Sequence, residues 1–198
     1  GELMSSPVIS VEVDEPLQSV AARMAERHFH RLLVTEAGKP VGVISVSDVV
    51  RALGRQEVLL RTVEEVMSRA IVVCRVDTPL PAVARGMSER RSRSVIVVSS
   101  NGTPKGIITG LDLIQLASDH GFENKLAGEV MHAPITISPQ ASLREAADTL
   151  ITHHVHRLLV VHPGHPDSMP LGIISTSDIM IEMAQPGSTW QESEPLQK

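Results

Sequence analysis

Three aspartates recur in one setting. Asp48, Asp112 and Asp178 close the stretches Gly42-Val43-Ile44-Ser45-Val46-Ser47-Asp48, Gly106-Ile107-Ile108-Thr109-Gly110-Leu111-Asp112 and Gly172-Ile173-Ile174-Ser175-Thr176-Ser177-Asp178, and they stand 64 and 66 residues apart. A carboxylate can accept two hydrogen bonds from neighbouring hydroxyls, as a sugar cis-diol presents them. The hydroxyls of Ser45, Ser47, Thr109, Ser175 and Ser177, with free N–H groups at a helix start, can hold phosphate oxygens. Basic residues precede each stretch: His30-Arg31, Arg93 and His156-Arg157. They would place positive charge opposite an anion. The glycines would let the strand bend and a ligand approach the backbone.

Plainer readings stand beside these. Each aspartate would also serve as a helix N-cap, a role that contributes about 1 kcal/mol. The His-Arg pairs would also suit a solvated cluster near a helix C-terminus, where cations are favoured. The run Arg90, Arg91, Arg93 would pass for a solvated face. The second copy departs most, with Arg93-Ser94 for His-Arg and Gly110-Leu111 in the closing motif.

The elements around these residues repeat as well. Glu2-Leu3-Met4, Glu65-Val66-Met67 and Glu129-Val130-Met131 open three similar stretches, their methionines 63 and 64 residues apart. A short β-like run follows, at 8–13, 71–76 and 135–137, and then a turn at Pro16, Pro79 or Pro139. Leu17, Val20, Ala21 and Met24 fall at helical spacing, as do Leu80, Val83, Ala84 and Met87, and Leu143, Ala146, Ala147 and Leu150. Apolar strands are predicted at 32–34, 95–98 and 158–161. Hairpin tips follow at Ala37-Gly38-Lys39-Pro40 and Asn101-Gly102-Thr103-Pro104, with a longer tip at 162–170. The glycine strand and a closing helix complete a β-α-β-β-α unit.

The predicted class is therefore α/β (α+β), with three repeats at 1–54, 62–118 and 126–185 and a flexible tail or linker at 186–198 that holds Trp190. A repeat of this size is marginal alone, so repeats should pack on one another. The first two are expected to pair face to face, leaving the third to a second copy of the chain or to a region beyond it. The opening Gly1-Glu2-Leu3-Met4 matches the interior Gly128-Glu129-Val130-Met131, which suggests a longer protein.

These marks resemble the CBS domain, named for cystathionine β-synthase. Within that family, His30-Arg31-Leu32-Leu33-Val34 with Ile44-Ser45-Val46-Ser47-Asp48 resembles the repeats of the gamma subunit of AMP-activated protein kinase. So does His156-Arg157-Leu158-Leu159-Val160 with Ile174-Ser175-Thr176-Ser177-Asp178. The resemblance implies that Asp48 and Asp178 bind ribose and that Ser45, His30, Arg31, Ser175, His156 and Arg157 lie by phosphate. Asp112, Thr109 and Arg93 would be the second copy's counterparts. An adenine ring would lie among Val8, Ile9, Ile71, Val72, Ile135 and Thr136 near the first strands.

Composition narrows the partners. A net charge of -5 and a pI near 6.0 give no basic face for a nucleic acid. No apolar run has transmembrane length, so no membrane partner and a cytoplasmic location are expected. Cys74 is the single cysteine and reads as a small buried hydrophobe. His153, His154, His156, His162 and His165 lack a cysteine partner or a carboxylate set, so no metal is expected. No nucleophile elbow, phosphate loop or zinc-protease motif appears, and the chain is not expected to be an enzyme. Two functions remain. One is a regulatory module for AMP, ADP, ATP or S-adenosylmethionine, working as a homodimer on a regulated domain outside this stretch. The other is a ligand-free scaffold for dimerisation or docking.

Overall fold

The computed structural model describes residues 2, 4–53, 61–117, 122–165 and 167–184, and every structural statement concerns these. The tail with Trp190 lies outside them, as do residues 55–60 between the first two expected repeats.

The first repeat contains β1 (Ser10–Glu12), α1 (Leu17–Arg27), β2 (Arg31–Glu36), β3 (Lys39–Ser45) and α2 (Val46–Leu53). The second begins with the short helix α3 (Val63–Val66) and continues through β4 (Val73–Arg75), α4 (Leu80–Glu89), β5 (Ser94–Val98), β6 (Pro104–Thr109) and α5 (Gly110–Ala117). After a 3-10 turn at Phe122–Asn124, the third contains α6 (Ala127–Val130), β7 (Thr136–Ile137), α7 (Leu143–Thr152), β8 (Arg157–Val160), β9 (Gly172–Ser175) and α8 (Thr176–Met183). Each repeat forms its own three-stranded sheet, ordered as in the chain. The first strand runs parallel to the second, as Ser10 against Leu33, Val73 against Ile96 and Thr136 against Leu159 show. The α+β class read from the sequence is observed.

The Glu-x-Met openings have a local cause. Glu65 Oε2 accepts from Thr62 N at 2.7 Å, and Glu129 Oε2 accepts from Leu126 N at 2.7 Å. Each glutamate thus closes the first turn of a four-residue helix.

The chain divides into two compact units, and the division cuts the third repeat. The first unit takes residues 1–66, 141–157 and 175–198, hence the whole first repeat with α7 and α8. Its core is helical: α1, α2, α7 and α8 pack on one another, burying Met24, Val49, Val50, Leu143, Leu150, Ile179 and Met180. The second unit takes residues 67–140 and 158–174. One face of its β4–β6 sheet packs Val95, Val97 and Ile108 on Leu80, Val83 and Met87 of α4. On the other face, Ile96 and Val98 join Leu159 and Val161 of the third repeat in one core, with Ile107 and Ile173 against it.

This corrects the expected pairing. The second and third repeats pair through their sheets, not the first and second. On the first repeat's sheet, by contrast, Val41 and Val43 are exposed.

Candidate functional site

Each repeat delivers its basic residue by the same device. The helix after the first strand ends on a left-handed residue: His28 at φ 55, Arg91 at φ 49 and His154 at φ 53. The next N–H turns back onto the helix, Phe29 to Met24 O at 3.0 Å, Ser92 to Met87 O at 2.9 Å and Val155 to Leu150 O at 3.0 Å. This satisfies a free terminal carbonyl and reverses the chain. The left-handed region disfavours residues with a Cβ, so the recurrence marks a turn held by its surroundings. His154, a metal candidate by spacing, is one of these turn residues.

The turn places His30, Arg93 and His156 at the head of the following strand. Their carbonyls accept from the first residue of the closing helix: Val46 N to His30 O at 3.1 Å, Gly110 N to Arg93 O at 3.2 Å and Thr176 N to His156 O at 3.3 Å. Basic residue and helix start are thereby joined.

The aspartates sit in the first turn of those helices. Asp178 Oδ2 accepts from Ser175 N at 2.8 Å and from Ser175 Oγ at 2.6 Å. Asp48 Oδ2 takes the same two donors of Ser45, the backbone N–H at 3.0 Å. Asp112 Oδ2 accepts from Thr109 N at 2.6 Å and Oγ1 at 2.7 Å. One oxygen of each carboxylate therefore performs the plain capping task. The other oxygen distinguishes them. Asp48 Oδ1 accepts from Arg51 Nη1 at 3.2 Å, and Asp112 Oδ1 pairs with His132 Nε2 at 3.1 Å. No hydrogen bond or ion pair engages Asp178 Oδ1 among the described residues. The Ser45 hydroxyl, with its N–H and Arg51, holds the Asp48 carboxyl below the usual carboxylate range, although partial burial opposes this.

In the first unit the two sets meet crosswise. Ser47 Oγ lies 3.3 Å from His156 Nδ1, and Ser177 Oγ lies 3.2 Å from His30 Nδ1. Each hydroxyl belongs to one repeat and each imidazole to the other. Ser47 and His30 are thus brought against His156 and Ser177, next to the Ser45–Asp48 and Ser175–Asp178 caps at the starts of α2 and α8, with Arg31 and Arg157 following the histidines as the first residues of β2 and β8. Arg93, Thr109 and Asp112 belong to the second unit and form a separate group.

Two residues of this picture were missed in the sequence. His132 follows the opening methionine of the third repeat, where Ser5 and Ser68 stand in the others, so no repeat pattern marked it. Arg51 lies one helical turn beyond Asp48, an ordinary spacing for an ion pair.

The motif glycines also need correcting at two positions. The Cβ absent from Gly106 would stand 2.6 Å from Met131 Cβ, and that absent from Gly172 would stand 2.6 Å from Ser68 O and 2.9 Å from Met67 Sδ. These glycines make room for protein, not for a ligand. At Gly42 nothing lies within 4 Å.

The expected adenine-side residues differ among themselves. Val8, Ile9 and Thr136 are exposed, Ile71 and Ile135 are half-buried, and Val72 packs into the core of the second repeat. Cys74 is half-buried and packs there too, and burial pushes its thiol up. Among the described residues no three His, Cys, Asp or Glu side chains gather as a metal site, and no helix is long and apolar enough to cross a membrane.

A three-sheet chain with a polar cluster at the start of each closing helix is a tandem-repeat protein. The CBS domain model matches residues 1–55, 63–119 and 127–185, and the chain belongs to that family. It is 27% identical over 190 residues to the uncharacterised protein MJ1404 of Methanocaldococcus jannaschii, covering 93% of this chain and 43% of that one. It is 29% identical over 116 residues to an L-aspartate semialdehyde sulfurtransferase of the same organism, covering 58% and 22%. It is 22% identical over 195 residues to subunit gamma-3 of 5'-AMP-activated protein kinase from Sus scrofa, covering 88% and 37%. The chain spans less than half the length of these relatives.

Solved structures share the fold. Protein MJ1225 of M. jannaschii, described as a candidate archaeal homologue of g-AMPK, aligns with TM-score 0.79 at 23% identity, over 92% of this chain and 69% of that one. CBS domain protein PAE2072 of Pyrobaculum aerophilum, solved with AMP, aligns with TM-score 0.56 at 17% identity, over 63% and 98%. The CBS domain pair of MJ0100, solved with 5-methylthioadenosine and S-adenosyl-L-methionine, aligns with TM-score 0.54 at 18% identity, over 60% and 92%.

Proposed function

We propose that the chain is a regulatory module that binds an adenosine nucleotide, with its two principal sites at the starts of α2 and α8. The observation that carries this reading is the crosswise pair Ser47–His156 and Ser177–His30. Two hydroxyls and two imidazoles meet there beside two helix starts, and Arg31 and Arg157 follow the two histidines at the heads of β2 and β8. Such donors suit phosphate oxygens, and the positive helix end adds to the attraction. Asp48 and Asp178 are each anchored through one oxygen; Asp178 would present its other oxygen to a ribose diol, and Asp48 would share its other oxygen between the diol and Arg51. The basic groups favour AMP, ADP or ATP over S-adenosylmethionine, which has no phosphate for them to neutralise. Relatives of this fold solved with AMP and with S-adenosyl-L-methionine support an adenosine ligand.

Regulation requires the ligand to favour one arrangement of the protein. A phosphate that takes over the Ser47 and Ser177 hydroxyls loosens their bonds to the opposite imidazoles. The packing of α2 on α8 changes with them, and a partner domain reads that change. The residues hold and neutralise but form no acid–base pair aimed at a reacting bond, so the role is binding without catalysis.

Calorimetry on ligand-free protein with AMP, ADP, ATP and S-adenosylmethionine tests this. A nucleotide at about 100 times its dissociation constant should add about 2.7 kcal/mol of stability. Asp178→Ala and Asp48→Ala should reduce that gain while the fold survives. If no adenosine compound produces heat or a thermal shift, the module is a ligand-free scaffold.

A further inference from the structure

The lead into the third repeat is tied to the second repeat's glycine strand at one residue, His132. His132 N donates to Ile107 O at 3.0 Å, and Ile107 N donates to His132 O at 2.9 Å. Met131, just before it, takes the space that a side chain on Gly106 would need. The backbone of His132 is therefore held beside β6. Its Nε2 lies 3.1 Å from Asp112 Oδ1, with the imidazole 68% exposed and the carboxylate 13% exposed. Against a carboxylate, Nε2 carries the proton and donates. Thr109 already holds Oδ2, so both oxygens of Asp112 are engaged.

The same bridge recurs in the lead into the second repeat without the imidazole. Ser68 N donates to Ile173 O and Ile173 N to Ser68 O, both at 2.9 Å, and Met67 packs at Gly172. The bridge thus belongs to the repeat, and the histidine is an addition at one of its copies. A second change lies at the start of α5 itself. Leu111 stands where Ser47 and Ser177 stand in the other copies, and it is exposed. This helix start has lost a hydroxyl that could hold an anion, and the outer oxygen of its aspartate is taken. Asp48 also has a partner in Arg51, but that pair is half exposed on both sides and hangs on a long side chain of the same helix. Such a pair is weak and easily displaced. His132 has two rotatable bonds on a backbone held by two hydrogen bonds.

We propose that His132 decides which helix starts take a nucleotide: it holds the outer oxygen of Asp112 and closes the start of α5 to a sugar diol. This rests on the reading of Asp48 and Asp178 as diol acceptors. The imidazole must give up its bond before diol hydroxyls can donate to that oxygen. A ring at hydrogen-bond distance also fills the room from which a diol would approach. His132 is thus a specificity residue for the second repeat, acting through Asp112, and it leaves the starts of α2 and α8 as the sites that bind.

Calorimetric titration with AMP counts the sites. His132→Ser, which copies the residue type of Ser68, should bind one AMP more per chain than the wild type. The added site should be about fivefold weaker than the others, because the start of α5 lacks one hydroxyl. His132→Ser/Leu111→Ser should narrow that gap, and His132→Ser/Asp112→Ala should remove the added site again. His132→Ala should give the same count as His132→Ser, and circular dichroism checks that each variant is folded. A wild type that binds AMP beside His132 variants with the same number of sites overturns the blocking role and leaves the nucleotide sites at α2 and α8 standing. An added site that survives Asp112→Ala overturns it as well. Binding by the His132 variants alone upholds the block and overturns the sites at α2 and α8. If none of these proteins binds AMP, both readings fall.

Discussion

The first and second repeats write the same strands and meet different fates. Leu32-Leu33-Val34 answers to Val95-Ile96-Val97, and Gly42-Val43-Ile44 to Gly106-Ile107-Ile108. Yet β5 is buried at all five positions, while β2 mixes buried, half-buried and exposed residues and β3 has none buried. An apolar run on both faces declares that a strand can be covered twice. Only the partner decides whether it is.

Matched truncations should expose this difference most strongly. Ile96→Ala opens a cavity in a core closed on both sides and should cost about 2–5 kcal/mol. Leu33→Ala should cost about 1 kcal/mol or less, because less apolar area leaves water there. Denaturant unfolding of both variants decides the point. Equal losses would mean that the first sheet is already covered.

The glycines provide a smaller contrast. Gly172→Ala drives a Cβ to 2.6 Å from the Ser68 carbonyl, a backbone atom that cannot rotate away. Such overpacking should cost about 1–3 kcal/mol. Gly42→Ala meets nothing within 4 Å and should leave the melting temperature level or slightly raised, since alanine restricts the unfolded chain. Paired thermal melts would show it.

Much of this architecture could be read beforehand. Element order followed from apolar spacing, and the polar residues of the sites recurred with the repeats. The partnerships could not be read. Ser47 and His156 are separated by 109 positions and Ser177 and His30 by 147, and no local pattern links residues so far apart. The pairing of sheets was misjudged because three similar apolar faces carry no label for one another. The motif glycines looked like room for a ligand because an absent side chain does not say what fills its place, and the methionines that do so stand on other repeats' leads. His132 has no counterpart in the other copies, so repetition, the main signal, was blind to it.

That histidine also sharpens the contrast between sites. Asp112 gives its outer oxygen to His132, whereas that of Asp178 has no hydrogen-bond or ion-pair partner among the described residues. Asp178→Ala should therefore weaken AMP binding about tenfold or more, a loss of about 1.4 kcal/mol. Asp112→Ala should change it about threefold or less. The double variant Asp112→Ala/His132→Ala should behave like Asp112→Ala alone. Calorimetric titration of the three proteins reads these ratios directly, and a reversed order would move the principal site to the second repeat.

The finest difference lies at Asp48, where a serine hydroxyl is the largest cause of a lowered pKa. Ser45→Ala removes that donor but keeps the backbone N–H and Arg51, so the Asp48 carboxyl should move up towards the ordinary value near 3.9. A carboxyl whose pKa is depressed in the folded state adds stability above its unfolded pKa and loses it as pH falls through the folded value. The wild type should therefore exceed Ser45→Ala in stability at neutral pH, and the two should converge in acid below the folded pKa. The gap will be small, because Asp48 and its Arg51 partner are both well exposed and water screens them. Carboxyl-carbon NMR titration measures the shift, and denaturation at neutral and acid pH measures its consequence. An unchanged Asp48 pKa in the variant would assign the hold to the helix start and Arg51 instead of to the hydroxyl. Ser45 would then be left without a task in the protein alone, and its recurrence as Ser175 and Thr109 would rest on what binds there.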